Sequence, residues 1–315
     1  MRAQLKSFID LWTTVFKEWN EDRASRLSAA LAYYTIFSIA PVLIIALAIA
    51  GRFFDQNLIR DQLIAEIAGL IGPQGADMIR SMLINASRPF DSSLASLFGI
   101  LLLFLGASSV FGELQSALNT IWEVAPKPNR GLFNTIRMRF LSFTMVVVVG
   151  FLLLVSLIIS TVLSFMNTSL SNTTQSIPFI VGFIDTTVSL VAVTLIFALI
   201  FKFVPDVKIG WGDVWLGALV TAILFTLGKF AIGVYLGSSR VISTYGAAGS
   251  LVIILLWVYY STQILFLGAE FTQVYACRYG SRVQTAREAV PLTEKTRVQH
   301  GIPHAEKVQE KRKKS

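Results

Sequence analysis

"STYGAAGSLVIILLWVYYSTQILFLGAEFTQVY", Ser243 to Tyr275, decides the fold of this chain. After a short opening of small residues it continues for roughly 26 mostly apolar residues, enough to cross a bilayer as a helix. It contains one acid, Glu270. A carboxylate at such depth is costly unless it faces protein or water. The stretch therefore predicts a membrane-spanning helix, and a bundle with a polar interior to which Glu270 belongs.

The rest of the chain agrees. Of 315 residues, 54% are hydrophobic and 15% charged, against about 25% charged in a soluble domain. Apolar runs predict six spans, at about 27–51, 94–122, 140–165, 178–204, 214–236 and 249–275. Residues 1–26 form a cytoplasmic N-terminal segment in which Leu5, Phe8, Ile9, Trp12, Phe16 and Trp19 recur at helical spacing. That pattern predicts an amphipathic helix, lying on the membrane surface or packed against the bundle. In the first long loop, Leu58 to Ile71 and Met78 to Leu83 predict two further amphipathic helices separated by "GPQGA". The expected fold is thus all-α: a six-transmembrane-helix bundle over 27–276 with amphipathic helices at the N-terminus and in the first outer loop. Residues 277–315, polar and ending "EKVQEKRKKS", are expected to form a basic, disordered tail.

Charge sets the orientation. The net charge is +8, which would suit nucleic acid, but the basic residues flank apolar spans. Five precede Leu27 and ten follow Ala276. Lys and Arg are scarcer in alternate short connections, as expected when both termini are cytoplasmic. Membrane lipids, and not nucleic acid, are the expected partners, with a homo-oligomer also open. One cysteine, Cys277, permits no internal disulfide. His300 and His304 in the tail do not make a metal site, and no cofactor is expected.

Several polar residues interrupt the spans. Glu113, Ser109 and Ser116 share a face of the second span, Tyr259, Gln263 and Glu270 share one of the sixth, and Thr35 lies on the small-residue face of the first. Counting 1.5 Å per residue from the span ends puts Glu113 and Glu270 in the cytoplasmic third. These residues are candidates for a polar interior, with backbone capping or snorkelling as the alternative. Asp185 and Lys229 fall in the outer third, where an ion pair is possible. Pro41 removes a backbone donor and breaks the first span, either as a packing kink or as a pathway-lining break.

Four strings, "SAALAYYTIFSIAPVL" from Ser28, "GASSVFGELQSALNTIW" from Gly106, "VPDVKIGWGDVWLGALVTAILFTLGKF" from Val204 and "YGAAGSLVIILLWVYYSTQILFLGAEFTQ" from Tyr245, resemble the YihY/BrkB family of bacterial inner-membrane proteins. The likeness runs in co-linear order from Trp19 to Arg278. It implies six transmembrane helices, cytoplasmic termini and an inner-membrane location. Members are described as transporters or permeases, and the family has also carried a ribonuclease label. It supplies no agreed catalytic residues.

Two functions are therefore weighed. The first is a transporter or permease of unknown substrate, without a nucleotide-binding loop of its own. The second is a non-transporting envelope or lipid-interacting factor. An enzyme is not expected: no nucleophile motif is present and both histidines lie in the tail.

Overall fold

The computed structural model describes residues 2–52, 55–86, 93–127, 177–238, 248–280, 284–286 and 289–299. The expected third span, and residues 300–315 with both histidines, lie outside the described residues.

Helix α1 (Arg2–Glu21) leads through Asp22 and Arg23 into α2 (Ala24–Ala50). Next come α3 (Gln56–Ala86), α4 (Ser93–Ile121) and the strand β1 (Val124–Pro126). The second half holds α5 (Ile177–Phe203), β2 (Val207–Lys208), α6 (Trp211–Ser238), α7 (Gly249–Arg278), β3 (Gln284–Thr285), β4 (Ala289–Pro291) and α8 (Glu294–Gln299). Among the described residues, four helical stretches are long and apolar enough to cross a membrane: Ala24–Ala48, Thr186–Phe203, Trp211–Gly233 and Gly249–Arg278. The range expected for the second span is also a single helix, α4.

In lipid, apolar side chains gain little by meeting each other, so close helix approach relies on small residues. Helices α6 and α7 use the same five-residue device, "GALVT" from Gly217 and "GAEFT" from Gly268. Thr221 Oγ1 donates to Gly217 O at 2.7 Å, and Thr272 Oγ1 donates to Gly268 O at 2.6 Å. Each threonine thereby satisfies its hydroxyl on its own helix and lies, hydroxyl oxygen nearest, against the glycine of the opposite helix. A Cβ built on Gly217 would lie 2.7 Å from Thr272 Cβ, and one on Gly268 would lie 2.8 Å from Thr221 Cβ. Further along, Gly228 lies under Tyr260 and Ile264. Gly233 has open space around it, so it is not where the two backbones meet.

Helix α2 packs on α4 around its proline. Pro41 remains inside the helix, and a Cβ on Gly106 would approach its Cγ to 3.1 Å. Ser38 Oγ lies 2.7 Å from both Tyr34 O and Gly106 O. The break is thus the contact point of two helices. Helix α3 bends at Gly72, whose φ of +82° glycine adopts without a Cβ clash, and Pro73 follows it. Its two halves place Ile59, Ile64, Ile71, Ile79 and Leu83 against Leu47, Ile232, Ile253 and Ile254, covering one end of the bundle.

At the opposite end lies α1. Leu11 and Val15 are buried against Phe271 and Val274, and the Trp12 and Phe271 rings are 5.3 Å apart. Arg278 bonds Asp10 at 2.9 Å, and Ser7 Oγ meets Tyr279 Oη at 2.7 Å. The N-terminal helix therefore packs along the last span, while Phe8, Ile9 and Phe16 stay exposed on its other side.

The tail departs from expectation. In place of disorder, β4 pairs antiparallel with β1 and β3 with β2. Leu292 N donates to Glu123 O at 2.7 Å, and Ala286 N donates to Asp206 O at 3.0 Å. The physical reason is that the ends of α4 and α5 expose strand edges, and the polar tail supplies the missing backbone partners. This strap, the α1–α2 corner and the α5–α6 turn all lie at one end.

Candidate functional site

The strap delivers Arg297 into the α1–α2 corner. Its side chain is 1% exposed. Nη2 donates to Asp22 Oδ1 at 2.6 Å, and Nη1 reaches Glu123 Oε1 at 3.5 Å. The corner is built for this. Arg23 and Glu123 both adopt φ of 53°, a conformation rare outside glycine, and so turn the chain sharply after α1 and α4. Burial pushes the Asp22 carboxyl up to about 6, against the opposing pull of Arg297. Desolvation outweighing attraction is the usual balance for a buried pair.

A second polar knot stands beside it. Asn119 Nδ2 donates to Asp206 Oδ2 at 3.0 Å, and its Oδ1 accepts the Asp206 N–H at 2.8 Å. Gln115 Nε2 donates to Asp206 Oδ1 at 3.3 Å. Together with the Ala286 bond, this ties α4, the α5–α6 turn and the strap into one unit. Lys202 donates to Ile209 O across the same turn and lies 5.2 Å over the Trp211 ring.

Glu270 faces this end. It is 1% exposed, and its Oε1 has no hydrogen-bond partner. The charges acting on it come from Asp22, Glu18, Glu123 and Arg297. Glu113 is half-buried on α4 and Ser116 is exposed there. Thr35 Oγ1 donates to Leu31 O at 2.7 Å and so closes on its own helix, whereas Ser109 Oγ donates to Gly106 O at 2.7 Å and also lies 3.2 Å from Ser38 Oγ on α2. Tyr259 packs in the cluster under α3. Lys229 is exposed, and the Asp185 side chain lies outside the described residues.

Gln263, one of the sequence candidates, lies elsewhere. A cavity of about 420 Å³ opens between α1, α6 and α7, lined by Phe16, Trp19, Leu224, Leu227, Gly228, Ala231, Tyr260, Gln263, Ile264 and Leu267. Glu113 and Glu270 do not line it. Both polar atoms of Gln263, and Trp19 Nε1, are buried without a hydrogen-bond partner.

Sequence reading singled out Glu270 but missed Asp22, Glu123 and Arg297. Nothing local marks Arg297 among the other basic residues of the tail. The Gly-x-x-x-Thr repeat was visible twice and could have located the α6–α7 contact.

The comparisons bear on what this assembly is. The family model described as "Virulence factor BrkB" matches residues 15–293. A "UPF0761 membrane protein" of Alteromonas mediterranea is 26% identical over 264 residues, covering 84% of this chain and 86% of the relative. Another, of Aggregatibacter aphrophilus, is 27% identical over 271 residues, covering 84% and 91%. The match to a third, of a Janthinobacterium species, is 27% identical and spans only 56% of that protein's length. No solved structure matches. With its apolar helices and a match over nearly its whole length, the chain is a membrane protein of the Virulence factor BrkB family.

Proposed function

We propose that the chain is a permease-type transporter of the bacterial inner membrane, with both termini in the cytoplasm and no ATPase of its own. The observation that carries this reading is Glu270, a carboxylate 1% exposed inside the last span with one oxygen unpartnered. Acids inside spans are expensive and are kept where substrates or protons pass. The absence of a Walker A string in the sequence leaves an ion gradient, or passive passage, as the energy source. The chain works with membrane lipids around it and carries out no catalysis.

The test is reconstitution in liposomes with ion-flux and lipid-flip readouts. Glu270→Gln is expected to cut any flux at least tenfold while leaving folding yield intact; wild-type flux in that variant would remove Glu270 from the pathway. The orientation is checked separately. Reporter fusions at both termini are expected to read cytoplasmic, and an outward C-terminal reporter would reverse the assignment from charge.

One observation favours a second reading, a lipid-interacting factor that transports nothing. The cavity between α1, α6 and α7 is walled mainly by apolar side chains. Under this reading Glu270→Gln is without effect on flux, because wild-type liposomes show none.

A further inference from the structure

We propose that the strap, residues 284–299, is a displaceable stopper that seals Glu270 from water at this end of the bundle, with Arg297 as the latch that holds it shut. The use of such a seal, gating a route past Glu270, rests on the permease reading; the seal itself can be read without transport.

The strap spans the mouth of the bundle. Its three parts engage three separate connections. Strand β3 pairs with β2 in the α5–α6 turn, β4 pairs with β1 after α4, and α8 carries Arg297 to Asp22 in the α1–α2 corner. Ala289 of β4 is buried in one cluster with Phe266 and Ala269, the residue before Glu270. Arg297 acts on Glu270 electrostatically, together with Asp22, Glu18 and Glu123. Gly217 meets Thr272 and Gly268 meets Thr221, a register that sets Glu270 level with Leu219 of α6. At 1.5 Å per residue this is about 6 Å further into the bundle than Trp215. Trp211 and Trp215 are exposed, as tryptophans at a membrane boundary are. Glu270 is thus about one turn inside the boundary, and yet it is buried with Oε1 unbonded. A carboxylate so near water is kept dry by what covers it.

The strap is held lightly. Its ladders are two and three residues long and α8 has six residues, all too short to stand alone. Among its described residues only Ala289 and Arg297 are buried. Segments with so little apolar burial open at low cost. The other end of the bundle is closed differently, by the buried isoleucines of α3. At the strap end one charged pair takes the place of such a filling. A buried pair adds little net stability over apolar side chains but makes loss of either partner costly. Seating is therefore all-or-none: Arg297 sits on Asp22, or its guanidinium goes to water and the strap leaves with it.

The full chain in nanodiscs carries Cys277→Ser, Ala125→Cys and Val290→Cys. Ala125 and Val290 are partners in the β1–β4 ladder, where Cα atoms stand about 4.5 to 5.5 Å apart, within reach of a disulfide. Oxidation locks the strap and reduction frees it. Water access is read as amidation of Glu270 by a charged, water-soluble carbodiimide with glycinamide, located by mass spectrometry, with exposed Glu66 as reference. In the locked state Glu270 is expected to react at least about tenfold more slowly than Glu66, with Arg297 or with Arg297→Gln. On reduction the protein with Arg297 is expected to stay protected. Reduced Arg297→Gln is expected to react at least about tenfold faster than when locked, as loss of one member of a buried pair would give. Purification in the locked state keeps Arg297→Gln folded until reduction. Amidation of locked protein at the rate of Glu66 overturns the proposal, because the seated strap then seals nothing. Equal rates for reduced protein with and without Arg297 also overturn it, because Arg297 is then no latch. Absence of flux in the liposome test leaves both outcomes readable and bears on the permease reading alone.

Discussion

Asp22→Ala is expected to destabilise the strap end of the protein by about 3 to 5 kcal/mol, the usual cost of stranding one member of a buried ion pair. Arg297 would lose its 2.6 Å partner, and Glu123 stands further off, at 3.5 Å and on a side chain 46% exposed. The guanidinium would leave its site to regain water and take α8 and β4 with it. Limited trypsin digestion reads this directly, since Arg297 is 1% exposed in the intact protein. Cleavage after Arg297 should be slow in wild type and fast in Asp22→Ala. Replacing both partners by apolar residues, Asp22→Leu with Arg297→Met, should recover much of the loss, because no charge is then stranded. If cleavage after Lys295, the site that Arg297→Met leaves in the same helix, is alike in the single and double variants, the pair is not what holds the strap.

The same carboxyl fixes a pH dependence. Its folded-state value, about 6, lies above the ordinary 3.8, so the folded protein binds this proton more tightly than the unfolded chain does. The contribution is fully present below 3.8 and is lost as pH rises through about 6. Asp22→Asn should flatten that segment of a stability-against-pH curve. Above pH 6 the carboxylate is ionised, and Arg297 is its compensation.

Gly268→Val should have an effect at least as large, at the contact between α6 and α7. A Cβ at Gly268 already falls 2.8 Å from Thr221 Cβ, and valine adds two methyls beyond it. Overpacking of this kind costs about 1 to 3 kcal/mol when neighbours can shift. Here the neighbour is a threonine tied to its own backbone, facing a second contact of the same kind one turn away. We expect α6 and α7 to separate and the folded yield in detergent, read by size-exclusion chromatography, to collapse. Gly233→Ala is the control: nothing lies within 4 Å of that position, so yield should hold. Normal yield for Gly268→Val would show that the glycine–threonine contact is not required for packing.

These residues also show how far sequence reaches. Spans are legible because each is a single apolar run whose requirement, backbone bonds closed within the helix, is local. Glu270 was legible because an acid in such a run has few options. The common end of the strap, the α1–α2 corner and the α5–α6 turn was implied by alternating basic connections. The pairing of Arg297 with Asp22 was not, since 275 residues separate them and neither has a distinctive neighbour. The strap itself was read as disordered because its composition is polar. Its order comes from strand edges on β1 and β2 that composition does not reveal. The cavity was illegible for a similar reason. It is a space between three helices, and only Gln263 among its walls stands out in one dimension.

The 275-residue separation has a consequence for how the protein is made. Asp22 leaves the ribosome early and enters the membrane boundary long before Arg297 exists. Throughout synthesis of the spans its carboxyl has no guanidinium to meet. The α1–α2 corner can therefore close only when the strap has been translated and folded back. Chains cut short before residue 297 carry an exposed acidic corner, a feature by which a membrane protease or insertase could tell finished copies from unfinished ones.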